Sequence, residues 1–185
     1  TSVTQTVEYL ANPTDPAITR TGYTPAGWSD EDDNTAEYSA DLSDYTMPAA
    51  NDTLFAVWTA EVYTVTFSAG TGTGSAEFST FDYTYGTTGF TLPRVGLMQK
   101  TGHEFAGWST DGNTPAISGA YSPTADVTLI AIWEPADFTV TYNVGTADSG
   151  SPSKSSETYT YNSSGGLTLA TQGSMVKAGH TFGGW

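Results

Sequence analysis

Apolar and polar residues alternate through Tyr63-Thr64-Val65-Thr66-Phe67, the period-2 signature of a strand with one face in a core and the other in water. The same alternation returns in Phe81-Asp82-Tyr83-Thr84-Tyr85-Gly86, after a turn-rich connection, Gly70-Thr71-Gly72-Thr73-Gly74. Leu129 to Trp133 is continuously apolar and rich in β-branched residues, which suits a central strand covered on both sides. Pro93 and Gly96 interrupt the pattern ahead of a segment that ends in Gly107-Trp108. The predicted order is strand, turn, strand, crossover, Gly-Trp strand, polar loop and closing apolar strand. Thr, Tyr, Val and Gly crowd out helix formers along the whole chain, so the fold class expected is mainly β.

These elements recur. Thr21-Gly22-Tyr23-Thr24-Pro25-Ala26-Gly27-Trp28 returns as Thr101-Gly102-His103-Glu104-Phe105-Ala106-Gly107-Trp108 and as Ala178-Gly179-His180-Thr181-Phe182-Gly183-Gly184-Trp185, with the tryptophans 80 and then 77 residues apart. Thr53-Leu54-Phe55-Ala56-Val57-Trp58 returns as Thr128-Leu129-Ile130-Ala131-Ile132-Trp133, and Tyr63-Thr64-Val65-Thr66-Phe67 as Phe138-Thr139-Val140-Thr141-Tyr142, each 75 residues on. The expected domains are a partial repeat over 1–60 without its opening strand, a complete repeat over 61–135, and a partial repeat over 136–185 without its closing strand. A unit of about 75 residues buries only about 60% of its unfolded surface, so large aromatic anchors are needed, with Trp108 and Trp133 the candidates in the complete repeat.

Taken together, the Gly-Tyr-x-Phe-Ala-Gly-Trp pattern, the Leu-x-Ala-x-Trp strand some 25–30 positions later and the Tyr-Thr-Val-Thr-Phe strand opening the next unit resemble the Listeria–Bacteroides repeat, a family that includes the B-repeats of internalin-type surface proteins. The resemblance covers essentially the whole chain. It implies tandem β-grasp-like units in an elongated array on an extracellular bacterial or archaeal protein, with Gly22, Trp28, Trp58, Gly102, Phe105, Trp108, Trp133, Gly179, Phe182 and Trp185 as the structural signature. Pro25 in the column of Phe105 and Phe182, and Gly183 in the column of Ala26 and Ala106, are departures from the pattern.

Composition narrows the function. The 185 residues carry 20 acidic and 5 basic side chains, a formal charge of −15 that repels phosphate backbones and anionic headgroups, so nucleic acid is not an expected partner. The absence of cysteine removes disulfides, thiolate metal sites and cysteine nucleophiles. No run of about 18 apolar residues is present, so no membrane insertion is expected in this segment. Thr1-Ser2-Val3-Thr4 has neither the basic nor the apolar region of a signal peptide, and the expectation is a window of a longer or processed chain.

Candidate chemistry is sparse. His103 and His180 share the column of Tyr23, as half-buried rings at a strand entrance would, and no catalytic constellation forms around either. Arg20, Lys100 and Lys177 also share a column, which reads as a retained ion-pair or hydrogen-bond position; Arg20 argues against a Lys–Asn isopeptide crosslink there, and Lys154 is the remaining candidate for one. Seven of the 20 acids fall between Asp30 and Asp44, where Asp30, Asp32 and Asn34 at alternate positions offer the start of a calcium shell, against the simpler reading of a solvated loop. Asn51-Asp52-Thr53 and Asn162-Ser163-Ser164 are glycosylation sequons. No other cofactor is expected, and no enzyme.

The function expected is that of structural spacer repeats in a cell-surface fibre or adhesin stalk, with neighbouring repeats of the same chain as partners, and self-association into a filament as an extension. The short links Thr59-Ala60-Glu61-Val62 and Glu134-Pro135-Ala136-Asp137 leave little slack. The alternative is a glycan- or protein-binding module that uses Tyr83, Tyr85, Tyr159 and Tyr161 as stacking rings; the sequence does not identify a host receptor. Edges left by missing strands invite β-addition from another chain, but both partial repeats already contain the Gly-Trp strand, which favours a longer parent chain.

Overall fold

The computed structural model describes residues 3–113 and 117–185. Among these the regular elements are all strands: β1 (Tyr23–Ser29), β2 (Phe55–Ala60), β3 (Val62–Ser68), β4 (Thr80–Thr84), β5 (His103–Ser109), β6 (Val127–Pro135), β7 (Asp137–Thr141) and β8 (Ser156–Thr160). They form a two-stranded sheet β1-β2, a four-stranded sheet in the order β4-β3-β6-β5, and a two-stranded sheet β7-β8. The β1-β2, β3-β4, β5-β6 and β7-β8 pairs are antiparallel. The apolar strand β6 is internal to its sheet, as its near-continuous hydrophobicity requires.

Packing divides the chain into two compact units. One comprises Thr1–Thr66, Thr80–Leu92 and Ser118–Thr128, the other Phe67–Ser79, Pro93–Ile117 and Leu129–Trp185. In the first, Trp28, Leu42 and Tyr45 form a buried cluster flanked by Ile18, Tyr38, Met47, Leu54 and Ala56. Val65 and Tyr83 are also buried there, Val65 on the apolar face of β3 while Thr66 points to water. In the second, Trp108 and Leu129 are fully buried, with Phe67, Met98 and Ala131 close to it. Phe67 meets the Trp108 ring at 4.9 Å. Burying one such indole removes about 150–250 Å² from water, roughly 4–6 kcal/mol at 25 cal/mol per Å².

The Gly-Trp motif works through a bulge. The β1-β2 register shifts between Pro25 and Gly27, and the β5-β6 register at the same place, between Phe105 and Gly107. Gly27 (φ 153°) and Gly107 (φ 136°) take backbone angles that a Cβ disfavours, and the extra residue re-aims the following indole into the core. The indole of each copy finds a carbonyl: in the core Trp108 Nε1 donates to Pro93 O at 2.9 Å and Trp28 Nε1 to Ala40 O at 3.2 Å, and the 45% exposed Trp185 donates Nε1 to Ala170 O. The third copy departs from the sequence expectation of a Gly-Trp strand, because Thr181–Trp185 forms none. A strand is a ladder, and among the described residues no strand of the β2 or β6 type pairs with this segment to supply one.

Candidate functional site

The feature that repeats with most detail is the junction between one repeat and the hairpin of the next. At the first, Tyr23 N donates to Arg20 O at 3.1 Å, closing a turn in which Gly22 sits at φ 74°. Gly22 O accepts Glu61 N at 2.9 Å, and Glu61 O accepts Tyr85 N at 2.8 Å, so the residue between β2 and β3 straps the turn to the end of β4. The Tyr85 ring lies flat against Gly22, where any Cβ would run into it. Tyr85 also meets Tyr23 edge-on at 5.6 Å and Tyr63 at 6.1 Å. In return the Tyr23 hydroxyl lies over Gly86.

The second junction repeats the first with different residues. His103 N donates to Lys100 O at 3.0 Å and Gly102 has φ 69°. Gly102 O accepts Ala136 N, and Ala136 O accepts Tyr161 N, both at 2.9 Å. The Tyr161 ring covers Gly102 and meets His103 at 5.4 Å. His103 Nδ1 lies 2.8 Å from Thr101 O. Gly179 and His180 form the same turn a third time, with φ 71° and His180 N donating to Lys177 O at 3.1 Å, but nothing stands over Gly179.

Tyr85 and Tyr161, grouped from the sequence with Tyr83 and Tyr159 as exposed stacking rings, are the plugs of these junctions. Tyr83 is buried, its hydroxyl donating to Thr87 O at 2.9 Å, which corrects its expected exposure; Tyr159 is half-buried. The available signal was that Tyr85 and Tyr161 occupy one column, as do the glycines they cover. The basic column splits: the Arg20 guanidinium lies 3.9 Å over the Tyr23 ring, while Lys177 Nζ donates to Thr146 Oγ1 at 2.7 Å. Lys154 is ion-paired with Glu157 at 2.6 Å, and Glu157 also accepts the Tyr142 hydroxyl. Of the signature aromatics, Trp133 Nε1 donates to Ala69 O at 2.9 Å, Phe105 packs edge-on against Trp108 and Trp133, Phe182 against Trp185, and Trp58 faces Pro25 across β1-β2.

The acidic loop organises its own turns. Asp33 accepts Thr35 N, and Glu37 accepts Asp30 N and Ser29 Oγ. The hydrogen bond between the Asp30 and Glu37 carboxyls raises the pKa of Glu37. Asp41 accepts Ser39 Oγ at 2.7 Å and Ser43 N at 3.1 Å, which holds its pKa down to about 2. Burial, then the bond to Asp52, pushes the Tyr45 hydroxyl up to about 12. Asp32 is exposed, Asn34 sits at φ 61°, and among the described residues no three acidic or histidine side chains converge as a metal shell would need.

The model of the Listeria-Bacteroides repeat domain matches residues 1–57, 63–132 and 138–185. The chain is 29% identical to a protein of Evansella cellulosilytica described as "Putative Gly-rich membrane protein", over 99% of this chain and 20% of that protein. It is 27% identical to a second protein of the same organism, described as "Putative membrane protein", over 96% of this chain and 26% of that one. The chain thus spans about a fifth to a quarter of the length of these relatives. Among the described residues no helix is long and apolar enough to cross a membrane, and no solved structure matches the chain. With three matched copies covering nearly all of its length, the chain belongs to the Listeria-Bacteroides repeat family.

Proposed function

We propose that the chain is a run of β-grasp-like spacer repeats in the extracellular stalk of a cell-surface protein, with no catalytic role. The observation that supports this reading is the duplicated junction: Gly22–Glu61–Tyr85 and Gly102–Ala136–Tyr161 are tied by the same hydrogen bonds and the same ring-on-glycine contact. A junction held by two backbone bonds and a half-buried ring restricts rotation where a bare linker would allow it. The family membership and the naming of both relatives as membrane proteins agree with a surface location. The −15 charge then keeps an exposed array soluble. Small-angle scattering of the chain tests the reading: an elongated particle is expected, and a compact globule would overturn it.

A further inference from the structure

The chain enters the middle repeat on β3 and leaves it on β6, and these two strands are hydrogen-bonded neighbours in the interior of the sheet. Three contacts set their relative direction. Asp126, directly ahead of β6, accepts the amide of Thr64 near the start of β3 at 2.8 Å. Trp133, near the end of β6, donates Nε1 to Ala69 O, just past the end of β3, at 2.9 Å. Gly70, one residue on, lies against β6, where a Cβ would come within 2.8 Å of Ile130 Cγ2 and 3.2 Å of Ala131 O. Start meets start and end meets end, so β3 and β6 run parallel, unlike the antiparallel β3-β4 and β5-β6 pairs.

A parallel pair has its two outer connections at opposite ends. Glu61 leads into β3 and Ala136 leads out of β6, and both are strapped into their junctions by backbone bonds. Tension carried along the chain therefore pulls β3 at its start and β6 at its end, and slides one strand along the other. Bonds of a parallel ladder are evenly spaced, so all of them bear that load at once. A hairpin pulled from its open end instead loses its bonds one at a time. The β3-β6 pair also has a dry core face, because Val65 and Leu129 are fully buried and Ala131 nearly so. Hydrogen bonds in such surroundings are stronger than bonds in water.

We propose that the middle repeat bears load, with the parallel β3-β6 pair as a mechanical clamp against tension along the array. A spacer need only hold distance; the clamp adds resistance to stretching, and it rests on the spacer reading only for the source of the load.

The chain has no cysteine, so introduced pairs can carry pulling handles at chosen points. Val62→Cys with Glu134→Cys places them at opposite ends of the β3-β6 pair. Val62→Cys with Thr84→Cys places them on residues that face each other at one end of the β3-β4 ladder. All three side chains are exposed, and β4 is an edge strand that the second pair peels away bond by bond. Both pairs act on the same folded state, and forced unfolding reads the barrier along the pulling direction. In optical tweezers at a fixed pulling rate, the first pair is expected to yield at a several-fold higher force than the second. Its yielding should be a single extension of roughly 20–25 nm as residues 62–134 straighten. Pulling the cysteine-free chain by tags at its two ends gives a second measure, free of any effect of the substitutions on folding. Its strongest event should release a similar roughly 20–25 nm. Equal forces for the two pairs, or a strongest event of any other length, overturns the proposal. An elongated particle in scattering with equal forces overturns the clamp and leaves the spacer reading standing, and a compact particle with unequal forces does the reverse.

Discussion

Gly102→Ala tests the junction directly, because the same substitution at Gly179 supplies its control. Both glycines sit in the left-handed region, at φ 69° and 71°, so alanine at either pays a similar backbone penalty of about 1–2 kcal/mol. Only at Gly102 does the new Cβ meet the Tyr161 ring; at Gly179 it meets nothing within 4 Å. Displacing the ring forfeits its edge contact with His103, about 0.5–1.5 kcal/mol, and loosens the bond from Ala136 N to Gly102 O, about as much again. The part specific to the junction is therefore about 1–3 kcal/mol, a loss of roughly 5- to 150-fold in the closed-to-open ratio. Hydrogen exchange at the Ala136 and Tyr161 amides, both donors in the strap, reads that ratio residue by residue. Gly102→Ala should accelerate both and Gly179→Ala neither. Unchanged protection in Gly102→Ala, or equal loss in the two variants, would refute the argument that the ring on the glycine holds the repeats together.

Trp108→Phe leaves Pro93 O without its buried donor and a gap beside Phe67, and should cost about 2–4 kcal/mol in a denaturant titration. Tyr83→Phe removes one part-buried bond to Thr87 O and should cost about 1 kcal/mol by the same measurement. The Asp41 pKa is depressed from 3.8 to about 2, so its contribution is full above the unfolded value and is lost as pH falls through the folded one. Protection of the Ser43 amide, which donates to Asp41, should accordingly fall between about pH 4 and pH 2, and Asp41→Asn should flatten that acid dependence.

How much of this was legible follows from the range of the interactions. Period-2 alternation in residues 63–67 and the unbroken apolar run of 129–133 are local consequences of one-sided and two-sided burial, and both read correctly as β3 and the internal strand β6. The three family copies were legible because each reuses the same glycine and tryptophan spacing. Tyr85 was not, because alternation gives a face and not what covers it: its partner Gly22 is 63 residues away and belongs to the preceding repeat. The strand expected at Thr181–Trp185 failed for a related reason. Its residues match those of β5, but strand formation needs a ladder partner that no residue of the segment encodes.

The junction also constrains the alternative of glycan binding through Tyr85 and Tyr161. A sugar stacks on a ring face, and one face of each half-buried tyrosine lies against Gly22 or Gly102. The ring beside it changes from Tyr23 to His103 while the glycine and the plugging tyrosine stay, which makes those two the required parts. Binding on that face and junction closure therefore compete. A glycan that stacks on Tyr161 must open the junction, so saturating sugar should speed exchange of the Tyr161 and Ala136 amides, and Gly102→Ala, already loosened, should bind more tightly. A sugar that shifts the Tyr161 ring resonances while both amides keep their protection would show that the two uses coexist, and would break the argument that the ring is committed to the glycine beneath it.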